Sequence, residues 1–255
     1  MNAFLKMITE ICEEENITLD VFSDDWILRL KKDNRDIFLS GRHSALNSST
    51  SASIADDKVS TYTLLSNNNI PAIPHYLIRK EESLSEITSK ISQYSSPLII
   101  KPCCGSRGRD VYLCKTTEES LKNITKLLKK YDSVCISPFF DAKCEYRCFF
   151  LDNKIHFIYK KTKSGDSLFF NLCNGGKPSL IDQAEEKSRT IAEIATKAAN
   201  SIGIRFAAID ILESKTGILK VLEINEAPST THLIKALPET YETIKDIYRQ
   251  AIRKM

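Results

Sequence analysis

The stretch FAAIDIL at residues 206–212, followed by VLEINEAPS at 221–229, decides how this chain is interpreted. Both segments read as apolar strands interrupted by polar residues, namely Asp210, Glu223 and Asn225. Glu223 and Asn225 are two residues apart, so their side chains leave the same face of a strand. If the two strands form a hairpin, Asp210 lies on the adjacent strand near Glu223.

Two carboxylates and one amide oxygen on neighbouring strands suit a hard cation. Mg²⁺ prefers oxygen ligands and often completes its shell with water and nucleotide phosphates. The alternative is a pair of solvated carboxylates at strand ends. Because isolated charges are very costly to bury among Ile and Leu side chains, we favour a magnesium site made by Asp210, Glu223 and Asn225.

A second feature is the segment PLIIKPCCGSRGRDVYL at 97–113, in which an apolar strand ends in Lys101 and a glycine-containing loop follows. Glycines let backbone N–H groups approach phosphate oxygens. No Gly-Lys-Ser/Thr follows and a strand comes next, so this is not a Walker loop. By itself the segment is equally typical of a glycine-containing hairpin turn. The residues that could contact phosphate are Lys101, Gly105, Ser106, Arg107, Gly108 and Arg109.

A third feature is the segment DSVCISPFFDAKCEYR at 132–147, an apolar strand that runs into a short linker and then a strand with charged residues. Such a linker could offer backbone groups and an aromatic wall to a purine. A plain crossover between two lobes explains the same residues equally well.

Composition narrows the class of protein. The 255 residues include 36 Lys and Arg against 33 Asp and Glu, a formal net charge of +3, which argues against nucleic acid or an anionic membrane as the main partner. No segment has the roughly 18 consecutive apolar residues that a membrane-spanning helix needs, and the glutamates at 10 and 13–15 do not fit a signal peptide. We expect a cytoplasmic protein whose eight cysteines are reduced.

The order of predicted elements is α+β, mainly antiparallel strands with covering helices. We expect a short N-terminal segment at 1–55, a small lobe at 56–136 with the glycine-rich loop, and a C-terminal lobe at 137–255 with the metal site. A helix is predicted at about 2–15, followed by short strands.

Four finer predictions concern the remaining connections. Residues 44–55 are small, polar and uncharged, as in a loop or linker, and a helix should begin at Asp56. Residues 162–180 should be irregular, the segment 182–185 resembles a helix-capping box, and one last helix should fill 230–253.

Taken in order, these features resemble the ATP-grasp family of ligases. The resemblance covers about Asp56 to the end of the chain and includes smaller matches, such as the Asn171 and Gly175-Gly176 stretch. The four segments that carry it are Asp57-Lys58 with 69–74, the strand lysine and glycine-rich loop at 99–108, the hinge Ser137-Pro-Phe-Phe140, and the set Asp210, Glu223 and Asn225.

The resemblance implies two α+β lobes that clamp ATP, with a shortened N-terminal segment. It also implies an ATP-dependent carboxylate–amine ligase that acts on an amino acid or small peptide through an acyl phosphate and releases ADP and phosphate. The implied cofactors are ATP with one or two Mg²⁺ ions, which Mn²⁺ could replace. Small-molecule carboxylates and amines would be the partners, with neither nucleic acid nor membrane, and homodimers are common in the family.

The resemblance also implies site residues. Asp210, Glu223 and Asn225 would bind the metal, while Arg147, Lys160, Lys161 and Asn171 would be catalytic, with Lys160 or Lys161 reaching the γ-phosphate. The ATP-binding residues would be Lys58, Lys101, Gly105, Ser106, Arg107, Gly108, Ser137, Phe139, Phe140 and Glu145.

Two departures from the family pattern and several alternatives stand beside this hypothesis. Ser137-Pro138 replaces the acidic hinge residue that often meets the adenine amino group, and the N-terminal region is shorter than usual.

Arg147 could instead be a surface strand partner of Glu145. A non-catalytic ATP-binding protein and an adenylating enzyme are the alternative functions. The four histidines at 43, 75, 156 and 232 are scattered and suggest no nucleophile–base pair.

Overall fold

A computed structural model describes residues 3–105, 108–165 and 167–255. Its strands form three separate sheets of three, four and five strands, and all strand pairs within them are antiparallel. No helix in the described part of the chain has the length and apolar character to cross a bilayer.

The helices are α1 (Ala3–Glu14), α2 (Ser49–Asp56), α3 (Lys58–Asn67), α4 (Leu84–Ser92), α5 (Thr117–Leu128), α6 (Glu186–Ser201), α7 (Thr231–Ala236) and α8 (Tyr241–Arg253), with 3-10 turns at Leu172–Asn174 and Pro238–Thr240. The strands are β1 (Thr18–Phe22), β2 (Ile27–Lys32), β3 (Arg35–Ser40), β4 (Tyr76–Arg79), β5 (Leu98–Pro102), β6 (Tyr112–Cys114), β7 (Ser133–Pro138), β8 (Ala142–Leu151), β9 (Lys154–Thr162), β10 (Lys177–Leu180), β11 (Phe206–Ser214) and β12 (Leu219–Asn225).

The N-terminal segment shares its core with the C-terminal part of the chain. One face of α1, including Ile8 and Ile11, is fully buried in a cluster that also contains Phe149 of β8, Phe206 of β11 and Tyr248 of α8. Burial of apolar surface drives this packing. The three-stranded sheet β1–β2–β3 and helix α1 are therefore built onto the same core as the last helix.

The four-stranded sheet, in the order β4-β7-β5-β6, is packed against α4 and α5. Both helices have capped N-termini: Ser83 and Glu86 form a capping box at α4, and Thr116 accepts the backbone N–H of Glu119 at α5. This sheet carries Lys101 on β5 and Ser137 on β7.

The five-stranded sheet, in the order β10-β9-β8-β11-β12, carries seven polar residues of the predicted site, namely Glu145, Arg147, Lys160, Lys161, Asp210, Glu223 and Asn225. Successive side chains of a strand point to opposite faces. Tyr146 and Cys148 of β8 pack into the core that includes α6, whereas Phe149 packs into the core of α1 and α8. Glu145 and Arg147 therefore lie on the same face as Phe149.

Several local predictions were wrong. Residues 49–56 are not a linker but helix α2, which Ser48 caps through the backbone N–H of Ser51 at 3.0 Å. The helix predicted to begin at Asp56 is α3, which begins at Lys58 and is capped by Asp57. Low intrinsic helix propensity of the serines is outweighed because Ser51 and Ala55 are buried.

Three further differences follow from local chain geometry. The segment 182–185 forms no capping box, because Asp182 accepts the N–H of Ala184 and α6 begins later without a side-chain cap. The region 162–180 contains the edge strand β10 as well as irregular backbone. The last helix is divided, since Pro238 cannot continue α7.

Candidate active site

A cleft of about 1000 Å³, including its open mouth, lies between the four-stranded and five-stranded sheets. It is lined by eleven of the predicted site residues: Lys58, Lys101, Gly105, Gly108, Arg109, Ser137, Phe139, Phe140, Glu145, Asn171 and Glu223. Ser106 and Arg107 fall outside the described residues. The structure thus brings the glycine-rich loop, the hinge and one predicted metal ligand to a single cavity.

Two lysines give the cleft a positive end. Lys101 is 8% exposed and lies opposite Cys135 in the β5–β7 pairing. Within the described part of the chain it makes no salt bridge, and burial lowers its pKa. Lys58 donates to the carbonyl oxygen of Gly105 at 3.0 Å and lies 3.8 Å from Glu223. Two buried ammonium groups with little counter-charge favour an anionic ligand.

Gly105 and Gly108 of the glycine-rich loop line the cleft, and Gly108 lies close to the opposite side. Gly108 has a φ of +68°, and a Cβ there would come within 3.0 Å of Phe169 Cε1 and of Asn174 Nδ2. A side chain at this position would therefore be strained and crowded. The loop is held closely against the segment that follows β9.

Asn171 is positioned by a tight turn in that segment. Its carbonyl oxygen accepts the N–H groups of Asn174 and Gly176 at 2.9 and 3.1 Å. A Cβ on Gly176 would lie 2.1 Å from the carbonyl oxygen of Phe170, so the turn requires glycine there. The turn thereby places Asn171 at the cleft wall.

A buried ionic network lies beneath the cleft. Arg147 donates Nε–H and Nη2–H to the two oxygens of Asp210 at 2.9 and 2.5 Å, and Lys161 donates to Asp210 Oδ1 at 3.1 Å. Lys161 also pairs with Glu145. Burial raises the pKa of Glu145 to about 7. Burial alone would raise the pKa of Asp210 too, but the charges of Arg147 and Lys161 hold it well below its ordinary value.

The predicted metal ligands converge but do not have equal access to the cleft. Asp210 pairs with Glu223 across β11 and β12, so the hairpin prediction is confirmed. Asn225 donates its amide to Asp210 Oδ2 at 3.0 Å and lies 3.4 Å from Glu223 Oε1. The Glu223 side chain is 27% exposed and that of Asp210 only 2%.

These oxygen donors fit a small hard cation, with Glu223 at the cleft wall and Asp210 behind it. Residues 3–105, 108–165 and 167–255 contain no group of three or more His, Cys, Asp or Glu side chains suited to a metal. The set depends instead on two carboxylates and the amide oxygen of Asn225. Asp210 would bind the cation only if Arg147 released one of its two hydrogen bonds to that carboxylate.

Among the predicted catalytic residues, Lys160 requires a correction. It alternates with Lys161 along β9 and pairs with Tyr146, whose side chain packs into the core of α6. Lys160 therefore points away from the cleft. The side chains of Arg147 and Lys161 lie on the face of the sheet that meets the cleft, but both are paired with Asp210 beneath it. Arg147 is therefore a partner of buried Asp210 rather than a surface partner of Glu145.

Sequence reasoning missed several cleft residues. Lys163 lines the cleft, and counting two residues on from Lys161 along the strand could have identified it. His75 also lines the cleft and contacts Ser137, which is 62 residues away in sequence. No local signal predicts that contact. Phe169 and Phe170 complete the wall that faces the glycine-rich loop.

Comparisons with known proteins bear on the family and the fold of this chain. The sequence profile of the RimK-like ATP-grasp domain matches residues 55–242. A "Probable alpha-L-glutamate ligase" of Shewanella pealeana is 30% identical over 72% of this chain and 39% of its own length. A protein of the same name from Haemophilus ducreyi is 29% identical over 79% of this chain and 64% of its own length. The chain thus spans less than two thirds of these curated relatives.

Solved structures show a similar arrangement of the chain. The D-alanine–D-alanine ligase of Bacillus anthracis superposes with a TM-score of 0.65 at 19% identity, covering 81% of this chain and 70% of that one. The same enzyme complexed with ATP gives a TM-score of 0.66 at 19% identity, covering 81% and 69%.

Proposed function

Because the chain belongs to the RimK-like ATP-grasp family, we propose that it is an ATP-dependent carboxylate–amine ligase. In this proposal ATP phosphorylates a substrate carboxylate, the amine of a second substrate attacks the acyl phosphate, and ADP and phosphate leave. The substrates are an amino acid or a small peptide. Curated relatives bearing the name of a glutamate ligase support this class of reaction.

The observation that carries the proposal is the pair of buried lysines in the cleft. Lys101 has no carboxylate partner among the described residues, and Lys58 lies at the same end of the cleft. A triphosphate supplies the missing negative charge. The apolar end of the cleft, where Phe139 and Phe140 line the wall, suits the adenine ring, with Glu145 near the ribose.

The chemical difficulty is to bring two anions together. Two like charges about 4 Å apart repel by roughly 4 kcal/mol at an effective dielectric constant of 20. Lys58, Lys101 and Lys163 reduce this repulsion by holding phosphate oxygens, and Asn171 orients the substrate carboxylate. When bound by Glu223, Asn225 and Asp210, Mg²⁺, or Mn²⁺ in its place, would neutralise further phosphate charge.

The glycine-rich loop protects the reaction from water. Its contact at Gly108 with the segment around Phe169 closes one side of the cleft. Water exclusion favours attack by the amine over hydrolysis of the acyl phosphate. In this proposal residues 56–136 and 137–255 act as the two lobes, and the segment 1–55 supports the second lobe.

A product screen tests the proposed activity. Purified protein is incubated with ATP, Mg²⁺ and pairs of amino acids or short peptides, and nucleotide products and product masses are measured. We expect ADP and phosphate together with a mass equal to the two substrates less water. Release of AMP and pyrophosphate would indicate adenylation instead, and ATP binding without any product would favour a non-catalytic role.

Replacing Lys101 with alanine should weaken ATP binding. A charge-assisted hydrogen bond contributes about 1.5–3 kcal/mol, so we expect the Kd for a non-hydrolysable ATP analogue to rise about 10- to 100-fold. Isothermal titration calorimetry measures this change. Lys129→Ala, which alters an exposed lysine just after α5, is the matched control. An unchanged Kd in Lys101→Ala would refute the role of this lysine.

A further inference from the structure

One acidic residue beside the glycine-rich loop is turned away from the cleft. Arg109 and Val111, the two neighbours of Asp110 in sequence, line the cavity, whereas Asp110 is not among the described residues that line it. The Asp110 side chain is nevertheless only 23% exposed. Its carboxylate is therefore covered by another part of the fold.

That part is the end of helix α5. Asp110 Oδ2 accepts a hydrogen bond from Lys130 Nζ at 2.6 Å and another from the Tyr131 hydroxyl at 2.5 Å. The hydrogen bond from Lys130, followed by that from Tyr131, lowers the pKa of the Asp110 carboxyl group, so the group is ionised at pH 7. Both contacts are thus hydrogen bonds to a charged acceptor, which are the stronger kind.

The two donors belong to a segment that is itself held in place. The backbone N–H groups of Lys130 and Tyr131 donate to the carbonyl oxygen of Leu127 at 2.9 and 2.8 Å, which closes the end of α5. The Tyr131 ring packs against the core of the four-stranded sheet, and Lys130 Nζ lies 5.0 Å from the centre of that ring. Asp110 therefore joins the loop to a packed element.

The backbone at Asp110 has an unusual conformation. Its φ is +56°, in the left-handed region that aspartate tolerates better than most residues other than glycine. Such a conformation persists where the surrounding structure fixes it, and the contacts with Lys130 and Tyr131 do so here. The turn directs the side chain of Asp110 toward α5 while its neighbours Arg109 and Val111 line the cleft.

Arg109 is the cation that this turn presents. Its side chain is exposed at the cleft, and within residues 3–105, 108–165 and 167–255 it forms no ion pair. A guanidinium group without a carboxylate partner is well suited to phosphate oxygens. Its place over a bound nucleotide depends on the direction of the backbone at Asp110.

We propose that Asp110 is a positioning residue that holds Gly108 and Arg109 over the phosphates of a bound nucleotide. It does so by binding Lys130 and Tyr131, and these three side chains form a loop anchor. This inference rests on the proposed binding of ATP in the cleft. Because the anchor acts through the loop, its loss should weaken binding of the phosphates and leave binding of the nucleoside unchanged.

Calorimetry with Mg²⁺ and a non-hydrolysable ATP analogue tests the anchor. Tyr131→Phe removes one donor and keeps the ring, so we expect the Kd of the analogue to rise about 3- to 10-fold. Asp110→Gly suits the positive φ but removes both hydrogen bonds, and should raise the Kd further. In both variants the Kd of adenosine, measured by competition with the analogue, should stay within about twofold of the wild-type value.

Trypsin digestion tests the same anchor without any nucleotide. Trypsin cleaves after Arg109, and Tyr131→Phe leaves the sequence around that bond unchanged. A faster cut therefore reports a larger population of the open loop rather than a better cleavage site. We expect the rate of cleavage after Arg109, identified from fragment masses, to rise about 3- to 10-fold in Tyr131→Phe.

Asp132→Asn is the matched control, because it breaks the exposed pair between Asp132 and Lys80 close to the same end of α5. It should keep the wild-type Kd values and cleavage rate, and circular dichroism verifies that each variant is folded. Unchanged binding of the analogue in folded Tyr131→Phe and Asp110→Gly, or equal weakening of the analogue and adenosine, would overturn the anchor and leave the ligase proposal standing. Wild-type protein that binds no ATP analogue would overturn both.

Discussion

Replacing Glu223 with glutamine is expected to lower Mg·ATP turnover by about 1000-fold while the protein stays folded. Glu223 is the predicted metal ligand at the cleft wall, and its side chain is 27% exposed. Losing one carboxylate ligand removes several kcal/mol of charge stabilisation in the transition state, and each 1.36 kcal/mol changes the rate tenfold. Glutamine keeps the size of the side chain, so packing should be preserved.

The measurement is ADP release under saturating ATP, with the Mg²⁺ dependence determined in parallel. Asn225→Ala should have a similar effect because the two side chains leave the same face of β12. Glu193→Gln, an exposed change on α6, is the matched control and should retain full turnover. Near-normal turnover in folded Glu223→Gln would remove the metal assignment.

Replacing Asp210 with asparagine should destabilise the protein as well as inactivate it. Asp210 is the shared acceptor of Arg147 and Lys161 in a network that is almost fully buried. Removing its charge leaves two buried cations with Glu145 as their remaining partner. Breaking a buried ion pair in this way typically costs about 3–5 kcal/mol, so we expect the free energy of unfolding to fall by about that amount.

Urea denaturation followed by circular dichroism measures this difference. Asp141→Asn breaks the exposed pair between Asp141 and Lys215 and should leave the midpoint unchanged, since exposed pairs contribute little. Glu223→Gln gives a second comparison, because it should lose activity with a much smaller loss of stability. An Asp210→Asn variant as stable as wild type would show that the buried ionic network does not stabilise the fold.

The ATP-grasp fold could be predicted because its evidence is local in sequence. The family match and the superposed ligase structures confirm it. The pairing of Asp210 with Glu223 was also predictable, since a short turn between two apolar strands determines it. By contrast, the choice between Lys160 and Lys161 depends on which face of β9 meets the helices.

Tertiary contacts account for what the sequence pattern missed. The pattern shows that Asp210 is polar in an apolar strand, but not that Arg147, on a strand 63 residues earlier, holds both its oxygens. The contact of His75 with Ser137 likewise depends on how two sheets come together. The serines of α2 were misjudged because burial against the rest of the fold, rather than propensity, makes that segment helical.

The shared core of α1 and α8 limits how this chain can be divided. The family profile begins at residue 55, yet apolar side chains on both sides of that point interdigitate, as with Phe4 and Tyr248, whose rings lie 5.5 Å apart. Excising residues 55–242 for a chimeric protein would uncover Phe149 and Phe206 and leave an exposed apolar surface. Recombination with relatives should therefore exchange whole chains or single loops, because the region that matches the family shares its core with the residues before and after it.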